Sequence, residues 1–252
     1  MFSSRLDFET QIESDFVEPA NSESDVNCLY HDQKEHLDTL IDEFKDIFSD
    51  KPGCSNLITH KINIKPDAVP KYSSPYRLNP QKAEWVCEEV NRLMEQNLVE
   101  VSNSSWASSI CLVSKPDGST RLLVDYKALN KHINPDPFSF PRIDDLLDQI
   151  GKAKYLTKLD ASKGYWAIKL DEESIPLSAF VTPHGHFQWR YMSFGLRNAP
   201  ATYNRMTCRL LLGCESFTKA YVDDIVIFSD LWLSHQNTFA LSLRRFAIQD
   251  LS

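Results

Sequence analysis

The chain has 252 residues, 42% of them hydrophobic and 25% charged; this composition is close to the globular average and argues against wholesale disorder. Short apolar runs and an acidic opening argue against a transmembrane helix and a signal peptide. The net charge of −8 is uneven: residues 1–50 hold 3 Lys/Arg and 14 Asp/Glu, so the rest of the chain carries a small positive excess. That excess is compatible with a polyanionic partner, but charge alone does not identify one.

Hydrophobic spacing predicts helices and strands in irregular alternation. Residues 1–55 are expected to be an acidic leader, mostly disordered, with one amphipathic helix over 36–48, and deletion of residues 1–50 should leave the fold intact. The further helices are predicted after Pro80 and over 142–150 and 201–212. Strands are predicted over 57–64, 110–114, 121–125, 155–160, 179–183, 187–191, 218–221 and 225–229. Without a regular βαβ pattern, this mixture predicts an α+β fold for residues 56–252.

Three aspartates are the candidate metal-binding and catalytic residues. Asp223 and Asp224 lie between two apolar segments. An acidic pair is often only turn chemistry on a solvated tip. Here the apolar flanks indicate a buried strand, beside which adjacent carboxylates repel each other and a divalent metal would compensate. Asp160 ends another predicted strand and is the candidate third ligand, although it could equally be a helix N-cap. If the strands are neighbours, the three oxygen ligands suit two Mg²⁺ ions about 3.5–4 Å apart.

Several segments, in order along the chain, then resemble the reverse transcriptase domain of gypsy-class LTR retrotransposons and, more distantly, of retroviruses. They are WASSI at 106–110, KPDGSTRLLVDYKALN at 115–130, PRIDDLL at 141–147, LDASKGY at 159–165, FGLRNAPAT at 194–202 and YVDD at 221–224. A lone YVDD would be weak evidence, whereas this ordered set is specific. The resemblance covers residues 76 to about 243, roughly two thirds of the chain.

The resemblance implies a role for each matching residue. Asp160, Asp223 and Asp224 match the carboxylates that are catalytic and bind Mg²⁺ or Mn²⁺. Tyr165 matches the aromatic residue that rejects a ribose 2′-hydroxyl. The remaining matches bind the incoming nucleotide: they are Lys115 and Arg121, which grip the triphosphate, and Phe194, in the loop against nucleotide and template. From the residues alone, Arg121 could instead pair with Asp117 or Asp125, and Tyr165 could be ordinary core.

The implied fold is a polymerase palm with a ferredoxin-like antiparallel core and a fingers subdomain. Fingers elements are expected over about 70–134 and 168–193, and palm elements over about 135–167 and 194–240. Because few residues follow the YVDD segment, the chain is expected to be truncated before a thumb. Ser193, Ala167 and Lys127 stand where the family usually has Pro, Gln and Arg, which could loosen the nucleotide pocket.

The expected function is RNA-directed DNA polymerisation: nucleotidyl transfer from a dNTP to a primer 3′-hydroxyl on an RNA or DNA template. The expected partners are primer–template and dNTP, without a membrane, and the polyprotein neighbours protease, RNase H and integrase. The expected compartment is intracellular and cytoplasmic, with a particle or the nucleus as alternatives. Two other hypotheses stay open: an inactive relic that keeps the palm fold and weak nucleic-acid binding, and a generic acidic-turn binding module.

Overall fold

A computed structural model describes residues 6–9, 29–48, 53–114, 118–138, 140–151, 153–160, 164–222 and 224–250. The strands are β1 (Leu6–Glu9), β2 (Ser55–His60), β3 (Val99–Val101), β4 (Ser108–Ser114), β5 (Thr120–Val124), β6 (Tyr155–Asp160), β7 (Ile168–Leu170), β8 (Phe180–Thr182), β9 (Gly185–Trp189), β10 (Thr218–Tyr221) and β11 (Asp224–Ser229). The helices are α1 (His31–Glu43), α2 (Pro80–Glu95), α3 (Lys127–Asn130), α4 (Ile143–Ile150), α5 (Ala199–Leu210) and α6 (Trp232–Asp250). The chain forms two compact units, the first of Met1–Leu57, Ser139–Gly164 and Asn204–Ser252, the second of Ile58–Phe138 and Tyr165–Tyr203.

The first unit is built on an antiparallel sheet in the order β1-β6-β11-β10. Side chains alternate across its strands, so one face is apolar and buried. Leu159, Ile225 and Ile227 on that face are at most 1% exposed. Helix α6 packs against β11 and β6, and it is tied there by a 2.8 Å hydrogen bond between Thr157 Oγ1 and His235 Nε2. The burial of this face turns alternate residues of the same strands toward the opposite, more accessible face.

The leader differs from the sequence expectation. Its described stretches include β1, which pairs with β6, and residues 29–48, which contain α1 and a short 3-10 turn over Lys45–Ile47. Helix α1 and the turn both contact α6, and Leu37 and Ile47 are 2% and 3% exposed. A stretch that buries these side chains contributes to the core, so this part of the leader is ordered, and we expect its deletion to destabilise the first unit.

The second unit contains a five-stranded sheet in the order β3-β9-β8-β4-β5, in which all pairs are antiparallel except β4 with β8. Helix α2 contacts β3 and is capped at its N-terminus by Asn79, whose side chain accepts a hydrogen bond from the Lys82 amide. Tyr126, Phe180 and Met192 are fully buried in this unit. Strands β3 and β7, each only three residues long, and helix α6 have no counterpart among the elements that the sequence predicts.

Like the expected palm and fingers, the two units interleave along the chain, but their bounds differ. Residues 135–138 and 165–167, expected in the palm by resemblance, belong to the second unit, and so do residues 194–203. For residues 194–203, side-chain amides explain the difference: Asn130 Nδ2 donates to the Gly195 carbonyl at 2.8 Å, and Asn198 Nδ2 donates to the Asn134 carbonyl at 2.8 Å. Within the described residues, none of the helices combines the length and the hydrophobicity of a membrane-spanning segment.

Candidate nucleotidyl-transfer site

Asp160 and Asp224 lie side by side where the two central strands of the first unit's sheet, β6 and β11, meet the β10–β11 turn. This row of strand ends is the edge of the sheet that carries the candidate site. Asp160 is the last residue of β6 and Asp224 the first of β11, and the two are direct partners in the antiparallel ladder. Direct partners have Cα atoms roughly 4.5–5.5 Å apart and side chains on the same face. Asp160 is exposed, and the Asp224 side chain is 46% exposed. The two aspartates therefore lie at partner positions on the face opposite the buried core.

The hairpin that carries Asp224 is tighter than expected. Tyr221 pairs with Asp224, so only residues 222 and 223 connect β10 to β11, and Asp224 is already part of the strand. Val222 has a φ of +54°, in the left-handed region that a β-branched residue rarely occupies. Strained backbone of this kind concentrates at functional sites, where the surrounding structure holds it in place. The turn therefore leads directly into Asp224, the partner of Asp160 on β6.

Two predicted site residues, Lys115 and Asp223, lie outside the described residues, and their roles stay predictions. Among the residues that are described, no three His, Cys, Asp or Glu side chains form a metal-binding group. Asp160 and Asp224 nevertheless fit a divalent cation, because both are accessible carboxylates on neighbouring strands and oxygen is the donor that Mg²⁺ and Mn²⁺ prefer. The donor chemistry of the edge agrees with the expected metal.

A lysine missed by the sequence analysis also lies at this edge. Lys158 precedes Asp160 by two residues on β6, and its Nζ is 3.2 Å from Oδ1 of Asp224. Since residues two apart on a strand share a face, Lys158 is directed to the same side of the sheet as the two aspartates. The apolar alternation of residues 155–160 predicts the strand β6. Only its pairing with β11 shows which carboxylate Lys158 contacts.

The second unit brings together the other three predicted residues. The Arg121 guanidinium carbon lies 4.7 Å from the centre of the Phe194 ring, a distance typical of a cation–π contact. The rings of Phe194 and Tyr165 are stacked with centroids 4.8 Å apart, and Tyr165 also contacts Tyr203. Arg121 is exposed and makes no ion pair with Asp125 in the described structure. Phe194 thus contacts both an accessible guanidinium and a buried phenol ring.

Asn130 fixes the loop that carries Phe194. Its side chain donates to the Gly195 carbonyl at 2.8 Å and accepts from the Arg197 amide at 2.9 Å. Gly195 has a φ of +93°, and a Cβ there would lie 3.2 Å from the Val124 carbonyl oxygen. Glycine is therefore required by both conformation and space. Asn130 lies in one of the segments that resemble the family, but its local pattern predicts no role; the available signal was an asparagine able to bridge two backbone groups.

Ser193, one of the departures from the family pattern, is buried and hydrogen-bonded. Its hydroxyl donates to the Tyr126 phenol oxygen at 3.2 Å, and the Tyr126 hydroxyl in turn donates to the Ser178 carbonyl at 2.7 Å. Burial, only partly offset by the Ser193 hydrogen bond, raises the pKa of Tyr126 far above its usual value, so the phenol stays a neutral donor. The serine is accommodated by a hydrogen-bond chain directly before Phe194, which argues against a loosened pocket at this position.

Comparisons with known proteins agree with this arrangement. Residues 113–249 match the family described as "Reverse transcriptase (RNA-dependent DNA polymerase)". The chain is 34% identical over 235 residues to the retrovirus-related Pol polyprotein from transposon 297 of Drosophila melanogaster, covering 90% of this chain and 22% of the relative. It is 35% identical over 167 residues to the enzymatic polyprotein of figwort mosaic virus (strain DxS), covering 65% of this chain and 25% of the relative.

Solved structures show the same fold. The prototype foamy virus protease-reverse transcriptase (CSH mutant) superposes with a TM-score of 0.78 at 27% identity, over 88% of this chain and 30% of that chain. A foamy viral protease-reverse transcriptase in complex with double-stranded DNA gives a TM-score of 0.80 at 22% identity, over 88% and 39%. The chain spans about a quarter of the length of the two curated relatives. The segment that matches the family covers more than half of this chain, and the chain therefore belongs to the reverse transcriptase (RNA-dependent DNA polymerase) family.

Proposed function

We propose that this chain is the RNA-directed DNA polymerase domain of a retrotransposon Pol polyprotein, transferring nucleotides from dNTP to a primer 3′-hydroxyl on an RNA or DNA template. The observation that carries the proposal is the direct pairing of Asp160 with Asp224 beside a strained two-residue turn. Two accessible carboxylates on neighbouring strands provide oxygen donors that suit a divalent cation. A metal-dependent nucleotidyl transfer site uses such donors.

In this proposal Asp160, Asp223 and Asp224 hold Mg²⁺ or Mn²⁺. The bound cations would neutralise phosphate charge and favour attack by the primer hydroxyl on the α-phosphate. The protein's own contribution is placement: β6 and β11 hold Asp160 and Asp224 at partner positions before any ligand arrives. Phosphoryl transfer depends mainly on such positioning and on charge stabilisation.

The second unit supplies the nucleotide contacts in this proposal. Arg121, exposed and stacked on Phe194, offers a planar set of donors that suits a triphosphate, and Lys115 would add a second positive charge. Tyr165 would exclude a ribose 2′-hydroxyl with its ring, which Phe194 and Tyr203 hold in one orientation. A ring packed on two sides cannot move aside, and this rigidity is what a steric discrimination requires.

The proposed partners are primer–template and the other parts of a longer polyprotein, namely protease, RNase H and integrase. Two foamy viral protease-reverse transcriptases were solved with an RNA/DNA hybrid and with double-stranded DNA. The positive excess after residue 50 favours contact with phosphate. Because RNA and dNTP are found inside cells, the proposal also places this protein inside the cell.

Primer extension tests the proposal. The full 252-residue chain is incubated with an RNA template, a labelled DNA primer, dNTP and Mg²⁺ or Mn²⁺, beside Asp160→Asn and Asp224→Asn variants. Metal-dependent addition of at least one nucleotide by the wild type, lost in both variants, is the expected result. Metal-free addition, or equal addition by the variants, would contradict it. Metal binding without any addition would favour the inactive relic.

A further inference from the structure

The ion pair between Lys158 and Asp224 is not used by the proposed function. Lys158 Nζ lies 3.2 Å from Asp224 Oδ1, and both side chains are 46% exposed. Lys158 is on β6, two residues before Asp160, the direct partner of Asp224, and its own partner on β11 is Val226. The pair is therefore a diagonal contact between strands, open to solvent and to ions.

An ammonium group and a metal ion make competing demands on Asp224. A lysine ammonium carries three donors and no lone pair, so Lys158 cannot itself be a metal ligand. It can only neutralise a carboxylate oxygen that a metal would otherwise bind. In the metal-free protein this contact lowers the repulsion between Asp160 and Asp224. Once a divalent cation approaches, the same positive charge opposes it.

The lysine side chain is able to withdraw. Its four-carbon stem is flexible, and nearly half of the side chain is in solvent. An ion pair with this exposure contributes little to folding stability, so stability alone does not account for a lysine at this position. The contact has the properties of an exchangeable counter-ion.

We propose that Lys158 is a positioning residue, an internal counter-ion that occupies Asp224 and that a divalent cation must displace. Lys158 thereby sets how tightly this edge of the sheet binds divalent metal, and it holds Asp224 in place while no metal is bound. The inference rests on the proposed function because it takes Asp160 and Asp224 as metal ligands.

Mn²⁺ binding, measured by electron paramagnetic resonance on the full chain without nucleotide, tests this inference. The variants are Lys158→Gln, Lys158→Arg and the matched control Lys219→Gln. Lys219 lies in the same row of the sheet, since it also pairs with Val226, but its Nζ donates to the Glu215 carbonyl. Lys158→Gln should bind Mn²⁺ about two- to fivefold more tightly, the range expected for an exposed charge pair. Lys158→Arg and Lys219→Gln should bind like the wild type.

A second readout is the increase in melting temperature caused by Mn²⁺, which should be larger in Lys158→Gln than in the wild type. Unchanged or weaker Mn²⁺ binding by Lys158→Gln, in a protein whose Asp224→Asn variant loses binding, would overturn this inference and leave the proposed function standing. If neither Asp160→Asn nor Asp224→Asn loses Mn²⁺ binding, or if no protein binds Mn²⁺, both this inference and the proposed function would be overturned. Equal tightening by Lys219→Gln would show a general charge effect and would also overturn the role of Lys158.

Discussion

Asp160 and Asp224 are direct partners across the β6–β11 ladder, although 63 positions separate them in the chain. Their pairing follows from two separate features. The buried alternate residues Leu159 and Ile225 set the register, since a shift by one residue would turn these side chains into solvent. The two-residue turn then starts β11 at Asp224 itself. The core of the sheet thus determines where the two carboxylates lie.

Substitution of Asp160 or Asp224 should impair metal binding and activity without disturbing the fold. Asp160→Asn and Asp224→Asn remove charge at nearly constant volume on an accessible face, so the melting temperature without metal should change little. Mn²⁺ affinity should fall in both variants, and nucleotide addition should fall by about a hundredfold or more, since such metals contribute several kcal/mol. Circular dichroism, electron paramagnetic resonance and primer extension check the three expectations. Unaltered metal affinity in both variants would mean that the pair is only turn chemistry.

Tyr165 should control the choice of sugar. Tyr165→Val removes the ring that stacks on Phe194, and the preference for dNTP over rNTP should fall by about ten- to a hundredfold, as for other steric discriminations. Tyr165→Phe keeps the ring and should keep the preference. Single-nucleotide incorporation with each substrate gives the ratio. Because Tyr165 is buried, melting temperatures must show that both variants are folded. A preference unchanged in folded Tyr165→Val would assign this residue to the core alone.

Asn130 should affect both stability and nucleotide binding, because its side chain holds the loop that carries Phe194. Asn130→Ala removes the hydrogen bonds to Gly195 and Arg197, and about 1–2 kcal/mol of stability should be lost, as for two partly exposed hydrogen bonds. The KM for dNTP should rise because Phe194 and Arg121 lose their fixed position. Asn91→Ala, an exposed asparagine on α2, is the matched control and should change neither quantity. A stability loss without any change in KM would make Asn130 purely structural.

Two buried histidines should make the protein acid-sensitive. Burial lowers the pKa of His60 to about 4, against a smaller opposing effect of Asp136, and lowers the pKa of His235 to about 4. In an unfolded chain the pKa is near 6.5, so protonation favours the unfolded state. Stability is therefore fully present above about pH 6.5 and declines as the pH falls toward 4, with a slope on the order of 1 kcal/mol per pH unit for each histidine.

Urea unfolding at pH 7.5, 6, 5 and 4.5 measures this slope. His235→Gln, whose amide can still reach Thr157, should flatten the pH dependence, and His60→Gln should do the same. His36→Gln, on an exposed position of α1, is the control and should follow the wild type. Parallel curves for all four proteins would show that neither buried histidine is responsible.

The leader helix should stabilise the first unit. Leu37 is 2% exposed, and Leu37→Ala should cost about 2–4 kcal/mol, as for other buried leucines. Leu233, on α6, is 71% exposed, and Leu233→Ala should change stability by less than about 0.5 kcal/mol. Deletion of residues 1–50 should lower the melting temperature by more than Leu37→Ala does. Calorimetry that finds no difference among these variants would restore the picture of a dispensable leader.

The sequence by itself determined much of this protein. Apolar alternation predicted β6 and β10 with the bounds that the structure has, because a half-buried strand imposes a period of two on its residues. The ordered segments around Asp160, Phe194 and Asp224 identified the family, and the chain folds as that family does. Short strands without a full period, such as β3, escaped prediction, since three residues cannot establish alternation.

The tertiary structure decided what no local pattern contains. The burial of Leu37 depends on α6, some two hundred positions later, and the leader's acidic composition gives no sign of it. The Lys158–Asp224 contact depends on the register between β6 and β11. The position of Phe194 depends on side-chain bonds from Asn130. Each is a contact between distant segments, fixed by the packing of a shared core, and a single sequence records the residues but not their partners.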